Sequence, residues 1–272
     1  MKRFNQDRLI GKRIKKLAKY RKDVKQEVAK KTIEQAVDKI FSMEISESPS
    51  VLFGDVWQLG NHTLTCCDSS TWDAPPAKLA IADPPYNAGI ADWDIGFEWN
   101  HDWLIKKADL VIVTPGDESF AHFLKKTTMP YKCMIGHWIK NGMSKGPMGY
   151  RNHIIAAVFC RESSPYKVTG IRNQNYSEGI IQIIDGDDND HPGRKPIDFV
   201  LTWIDRLTSK HDVIVDPFLG SGTTLIAAEQ LGRICHGAEI NPDYCAAILG
   251  RWMSANRETP KKTINLIDTV RR

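Results

Sequence analysis

The chain has 272 residues, of which 42% are hydrophobic and 26% charged, and a formal net charge of +4. That length holds one sizeable core with an appendage and is tight for two full domains. No apolar run approaches the roughly 18 residues of a membrane span, and the basic start Met1-Lys2-Arg3-Phe4 is not followed by the apolar stretch of a secretory signal, so a cytoplasmic protein without a membrane partner is expected.

Taken from its start, the chain opens with a basic arm. Residues 1–48 hold 14 Lys or Arg against 7 Asp or Glu, so the rest of the chain is slightly acidic. From Gln6 to Met43 there is no proline and one glycine, and Ile10, Ile14, Leu17, Val24, Val28, Ile33, Val37 and Ile40 recur near helical spacing. One long helix or two shorter ones are expected. Glu44 to Ser50 reads as a linker, so the division is a helical arm at 1–48, a catalytic domain at 49–258 and a tail at 259–272. Arg13, Lys15, Lys16, Lys19, Arg21 and Lys22 can grip phosphates; a solvated helix docked on the next domain, or a dimerisation element, explains them nearly as well.

Within the catalytic domain, Val56–Leu59 and Thr63–Cys66 flank Gly60-Asn61 and read as a two-residue hairpin. Short apolar runs follow at Leu79–Ala82, Leu110–Val113, Ile154–Phe159, Val213–Val215 and Ile234–Ala238, as in parallel strands covered on both faces. Helical patterns at Pro196–Thr208 and Thr224–Leu231 alternate with them. The expected class is therefore α/β, a Rossmann-like, mostly parallel sheet with helices on both faces. Residues 163–193 break the pattern and suit a recognition loop, a lid or a plain surface excursion. The six cysteines show no metal or disulfide spacing and read as reduced core thiols. The acidic run Asp185 to Asp190 lacks the spacing of a calcium loop, so no metal is expected.

Two constellations carry chemistry. Val213-Ile214-Val215 leads into Asp216-Pro217-Phe218-Leu219-Gly220-Ser221-Gly222-Thr223, followed by a helix, and Glu239-Ile240 ends the next strand. A lone G-x-G is most often a tight turn. An acid before it and an acid after it reverse that preference, because S-adenosylmethionine needs a carboxylate for its amine and another for its ribose. The second constellation is Asp83-Pro84-Pro85-Tyr86 at the end of AKLAIA. A proline-stiffened strand exit would explain a bare D-P-P. Beside the cofactor loop, however, acceptors from Asp83 and the Pro84 carbonyl fit an exocyclic nucleobase amine, and Tyr86 can stack on a base drawn out of the duplex.

With these residues in view, the chain resembles the amino-methylating DNA methyltransferases of the beta class, in which D-P-P-Y precedes the cofactor motif. The likeness covers about residues 54 to 253, on D-P-P-Y, H-P-x-x-K-P and D-P-F-x-G-S-G-T-T. It implies catalytic Asp83, Pro84, Pro85 and Tyr86, and S-adenosyl-L-methionine held by Asp216, Pro217, Phe218, Gly220, Ser221, Gly222 and Thr223, with Glu239 on the ribose and Ile240 against the adenine. His191 to Pro196 looks like the segment that closes the cofactor pocket, through Lys195 and Pro196. Cys67-Asp68 stands where relatives usually have Gly-Asp, which implies Asp68 at the cofactor or the base.

The implied reaction is methyl transfer to N6 of adenine in double-stranded DNA, since aspartate at the first motif position leans towards adenine; N4 of cytosine is the alternative. A catalytically inactive DNA-binding or regulatory protein is the alternative from another class. A homodimer and a cognate restriction enzyme stay open as partners. Trp138 to His153 mixes aromatic, basic and glycine residues, and in that family the corresponding region lies towards DNA.

Overall fold

The computed structural model describes residues 49–87, 89, 94–140, 144–146, 148–161, 180–182, 195–256 and 259–266. The chain divides into units at 1–42 and 43–272, and every described residue belongs to the second. The expected arm at 1–48 lies outside the described residues. So do the acidic run, His191 to Arg194, and all of the 163–193 loop except Ile180–Gln182.

The first hairpin forms as the turn residues dictate. Strand β1 (Asp55–Leu59) and strand β2 (His62–Cys66) pair antiparallel with Leu59 opposite His62, leaving Gly60 and Asn61 as the turn. The remaining strands are β3 (Ala77–Ala82), β4 (Ala108–Val113), β5 (Tyr131–Lys140), β6 (Ser144–Gly146), β7 (Gly149–Arg151), β8 (His153–Cys160), β9 (Ile180–Gln182), β10 (Val213–Asp216), β11 (Ile234–Glu239) and β12 (Lys261–Asn265). Five helices join them: α1 (Leu104–Lys107), α2 (Phe120–Lys126), α3 (Ile197–Leu207), α4 (Thr223–Gln230) and α5 (Pro242–Asn256).

Ten strands make one mixed sheet in the order β12-β1-β2-β11-β10-β3-β4-β8-β5-β9, with β6 and β7 as a separate hairpin. The five central strands, β2 to β4 in that order, are mutually parallel. Antiparallel pairs flank them on both sides, so "mostly parallel" holds for the centre of the sheet and not for its margins. From β3 the chain moves to β4 on one side; from β10 it moves to β11 on the other. The adjacent pair β3 and β10 is thus the point where the winding reverses, where open α/β sheets gather ligands beyond their carboxyl ends.

The apolar runs are uninterrupted because both faces are covered. On one face, small residues Ala80, Ala82 and Ala157 leave room for a layer of rings. Trp99 meets Phe123 edge-on at 4.9 Å, and Phe123 meets Phe159 at 5.8 Å. The other face takes α3, whose Phe199 and Trp203 sit edge-on to His137 of β5 at 5.0 and 5.3 Å. Helix α4 is buried from Thr223 to Ala228, which is why its apolar residues do not keep to one stripe.

The tail expected at 259–272 is in part an edge strand. Lys261–Asn265 pairs antiparallel with β1, Lys262 Nζ lies 2.6 Å from the fully buried Asp55 carboxylate, and the Leu266 N–H donates to the Gly54 carbonyl at 2.7 Å. Its short, lysine-rich sequence suits an edge that faces solvent, and so lacks the apolar run of a buried strand. Five of the six cysteines are buried, and all six are free thiols. Among the described residues no helix is long and apolar enough to cross a membrane, and no group of three or more His, Cys, Asp or Glu could hold a metal ion.

Gly222 begins α4 at a φ of 84°, and a Cβ there would lie 3.0 Å from Ile248 Cγ1 in α5. Gly222→Ala therefore meets both a left-handed backbone penalty and a packed neighbour. A stability loss of about 1–3 kcal/mol is expected by denaturant melts, and wild-type stability would remove this assignment.

Candidate active site

At the exit of β3, parallel pairing sets Ala82 beside Val113, so Asp83 and Thr114 follow side by side. The Thr114 N–H donates to the Ala82 carbonyl at 3.0 Å, and its Oγ1 donates to Asp83 Oδ1 at 2.5 Å. The Tyr86 hydroxyl donates to the same carboxylate oxygen at 2.7 Å, and Lys195 Nζ donates to Oδ2 at 2.6 Å. Burial, and then the Asp83 charge, push the Tyr86 phenol well above its ordinary pKa, so it stays a donor. Burial works against the Lys195 ammonium, but Asp83 and then Tyr86 outweigh it and hold its pKa above the usual lysine value.

The turn after Asp83 is fixed by a buried acid of the loop that follows it. Asp94 Oδ1 accepts the N–H groups of Tyr86 at 2.5 Å and Asn87 at 2.9 Å, and Ser119 Oγ donates to the Tyr86 carbonyl at 2.9 Å. The Tyr86 ring lies so close to Gly116 that a Cβ there would approach ring carbons at 3.2–3.3 Å.

Asp216 ends β10 level with Ile81 of the neighbouring β3, two residues before Asp83, and is 4% exposed. Burial lifts its pKa to about 7 against the pull of donors from Thr224 and the Phe218 N–H (2.9 Å), with the Asp83 and Glu239 charges adding to the rise. One strand further along, burial likewise raises Glu239, although Gly220 N–H donates to Oε2 at 2.8 Å and Asn241 N–H to Oε1 at 2.9 Å. The turn between them is held by Leu219 N–H to the Ala238 carbonyl at 2.9 Å and by the buried Arg251 guanidinium, which donates to the Ser221 carbonyl at 2.9 Å.

A cavity of about 490 Å³ opens over these strand ends, within the range of cofactor sites. Asp68, Asp83, Pro84, Pro85, Tyr86, Lys195, Asp216, Pro217, Phe218, Gly220, Ser221, Thr223, Glu239 and Ile240 all line it. Gly222 and Pro196 do not. Gly222 packs on Ile248, and Pro196 caps α3. Lys195, expected on the cofactor, lines the cavity with its ammonium on Asp83. Asp68 caps the turn Ser69–Thr71 through its 2.8 Å bond from the Ser70 N–H and faces the cavity as an exposed acid.

Sequence reasoning missed Thr114, Asp94, Thr224 and the pair Ser69 and His101, joined at 2.8 Å. Burial lowers the His101 pKa to about 4, so the ring is neutral where it packs 4.6 Å from Phe218. Thr114 has a signal in hindsight: it follows an apolar run as Asp83 does.

Residues 138–249 match a family model described as DNA methylase, a span that includes the cofactor loop and starts beyond Tyr86. Methylase YubD of Escherichia coli (strain K12) is 26% identical over 215 residues, covering 72% of this chain and 90% of that protein. Type II methyltransferase M1.MboII of Moraxella bovis is 23% identical over 240 residues, covering 67% and 92%. Among solved structures, the M1.HpyAVI–SAM complex aligns with a TM-score of 0.52 at 19% identity, over 64% of this chain and 88% of that one. PvuII DNA methyltransferase (cytosine-N4-specific) aligns at 0.52 and 18% identity, over 74% and 90%. The fold is that of the DNA methyltransferases. Residues 138–249 are thus similar to a DNA methylase domain of the N6/N4 type.

Two outcomes follow for the free protein. Folded Asp216 holds its proton up to about pH 7, whereas an unfolded aspartate releases it near 3.8, so the native state binds more protons across that window. Stability contributed by this group therefore falls as pH rises from about 4 to 7. Asp216→Asn should flatten that slope in thermal melts, and an unchanged slope would count against the buried-acid assignment. Gly237→Ala would bring a Cβ within 2.7 Å of Leu219 Cδ2 under the cofactor turn. It should cost about 1–3 kcal/mol in denaturant melts.

Proposed function

We propose that this protein is an S-adenosylmethionine-dependent DNA methyltransferase that methylates the exocyclic N6 amine of adenine in double-stranded DNA. The observation that carries the reading is the placement of Asp83 and Asp216 at adjacent parallel strand ends over one cavity.

The residues present suit the cofactor. Six carboxylates line the cavity, Asp68, Asp83, Asp94, Glu98, Asp216 and Glu239, against Lys195 as the one lysine or arginine among its described lining residues. Such a site favours a ligand with excess positive charge. Asp216, buried and raised to about 7, suits an ammonium, and Glu239, which accepts the Gly220, Asn241 and Ile240 N–H groups, keeps a lone pair for a ribose hydroxyl. Bound, the cofactor supplies an electrophilic methyl group on a sulfur that leaves as a neutral thioether.

The protein's part is alignment. An exocyclic amine is a weak nucleophile because its lone pair is delocalised into the ring. Asp83 and the Pro84 carbonyl accept its N–H groups and stabilise positive charge as the N–C bond forms, after which the nitrogen releases a proton to water. Tyr86 stacks on the extruded base, offsetting part of the few kcal/mol of unpairing.

Adenine is favoured over cytosine by aspartate at the first motif position, whereas the PvuII relative is cytosine-N4-specific by name. Treating DNA with the protein and methyl-labelled cofactor, then separating the nucleosides, tests the reading. Label in N6-methyladenine supports it; label in N4-methylcytosine moves it to cytosine; cofactor binding without label makes the protein a regulatory binder. Asp83→Ala should reduce transfer at least about 100-fold with cofactor affinity nearly intact. Cofactor affinity should rise with pH between about 6 and 8, because an ammonium partner expels the Asp216 proton, and Asp216→Asn should abolish that dependence in calorimetry.

A further inference from the structure

An ionised carboxylate offers about four acceptor positions, two on each oxygen. On Asp83, Oδ1 already accepts from the hydroxyls of Tyr86 (2.7 Å) and Thr114 (2.5 Å), and Oδ2 accepts from Lys195 (2.6 Å). Among the described residues, one position, on Oδ2, is left. The three donors come from three separate pieces of chain: the motif itself, the exit of β4 and the segment before α3. Thr114 is 2% exposed and its backbone N–H is bonded to the Ala82 carbonyl, so burial and an anchored backbone keep its hydroxyl beside Asp83. The Lys195 ammonium also lies 5.0 Å from the centre of the Tyr86 ring, so one cation fixes both the acceptor and the aromatic platform.

We propose that Thr114 and Lys195 are positioning residues for the target amine: with the Tyr86 hydroxyl they saturate Asp83 except for one Oδ2 lone pair, and so determine where that carboxylate accepts a single N–H of the base. The proposal rests on the methyltransferase reading above. It departs from the resemblance, which gave Lys195 to the cofactor and Thr114 no role. The second N–H of the amine must then find its acceptor elsewhere, and the Pro84 carbonyl is the neighbouring candidate. A hydroxyl at position 114 matters in this scheme; the methyl group of threonine does not.

The test compares wild type with Thr114→Val, Thr114→Ser and Lys195→Met, measuring kcat, KM for DNA, dissociation constants for S-adenosylhomocysteine by calorimetry, and melting temperature. Thr114→Val, close in shape to threonine, should lower kcat about 10- to 100-fold, with KM for DNA and the calorimetric constant within about threefold of wild type. Thr114→Ser should recover kcat to within about threefold, which a purely structural role of the side chain would not produce. Lys195→Met, at the partly exposed side of the cluster, should also lower kcat and leave cofactor affinity unchanged. Wild-type kcat in Thr114→Val overturns the proposal, as does a serine variant no better than valine. Lys195→Met that keeps kcat and weakens cofactor binding returns that residue to the cofactor. Wild-type protein that transfers no label to DNA overturns the functional reading itself, whereas unchanged Thr114→Val in an active enzyme overturns only this inference.

Discussion

Parallel pairing of β3 with β10 is the constraint on which the site depends. Register places Leu79 beside Ile214 and Ala80 beside Val215, so Asp216 ends β10 two residues short of the level of Asp83, and both acids reach one cavity. Carboxylates held side by side in a partly desolvated cavity repel, and the lifted pKa of Asp216 records that cost as well as its burial. The protein answers the two charges differently. Asp83 receives an ammonium and two hydroxyls; Asp216 receives neutral donors from Thr224 and the Phe218 backbone. The two acids are thus held differently: Asp83 has a cation as partner, whereas the donors to Asp216 are neutral.

The loops around the cavity are joined to one another as well as to the sheet. Phe218 of the cofactor turn packs edge-on to Phe97 at 5.6 Å and against His101 at 4.6 Å, and His101 bonds Ser69 beside the turn capped by Asp68. The segment carrying those rings also holds Asp94, which grips the Tyr86 backbone. A neutral histidine suits this position, because a charged one would be costly among aromatic rings in a buried layer. The loops after β2, β3 and β10 are thereby joined by one chain of contacts, from Phe218 through Phe97 and its segment to Asp94 and Tyr86. The Gly237 contact with Leu219 extends the same chain to β11.

What could be read from sequence follows from burial. β3, β4, β8 and β10 are covered on both faces and appear as short apolar runs, and the acids at the ends of β3 and β10 stand out against them. β5 escapes because Met134 and Trp138 are half-exposed while His137 is fully buried, so its pattern is neither continuous nor cleanly alternating. Helix α5 carries Gly250 and Arg251 in its buried part, which disguises an otherwise helical segment. Thr114 and Asp94 escape for another reason: neither belongs to a motif, and each acts through a partner that only strand order and loop closure bring near. Lys195 was visible as a residue of interest, but nothing in a linear pattern distinguishes a lysine aimed at a cofactor carboxylate from one aimed at Asp83.

The same geometry explains why the choice of base is the least legible property of the chain. Adenine N6 and cytosine N4 present the same pair of protons, so an acceptor on Asp83 reads an amine and not the ring that bears it. Tyr86 offers a π-face, which every base can meet. Selection between a purine and a pyrimidine must therefore come from the depth and far wall of the base pocket, where ring size and the remaining Watson–Crick edge are felt. Recognition of a DNA sequence lies one step further out, on side chains that reach the major groove and not on those that hold the amine. On the proposed reading, a chain can thus keep its chemistry at Asp83, Thr114 and Lys195 while its base and sequence preferences are set by other residues.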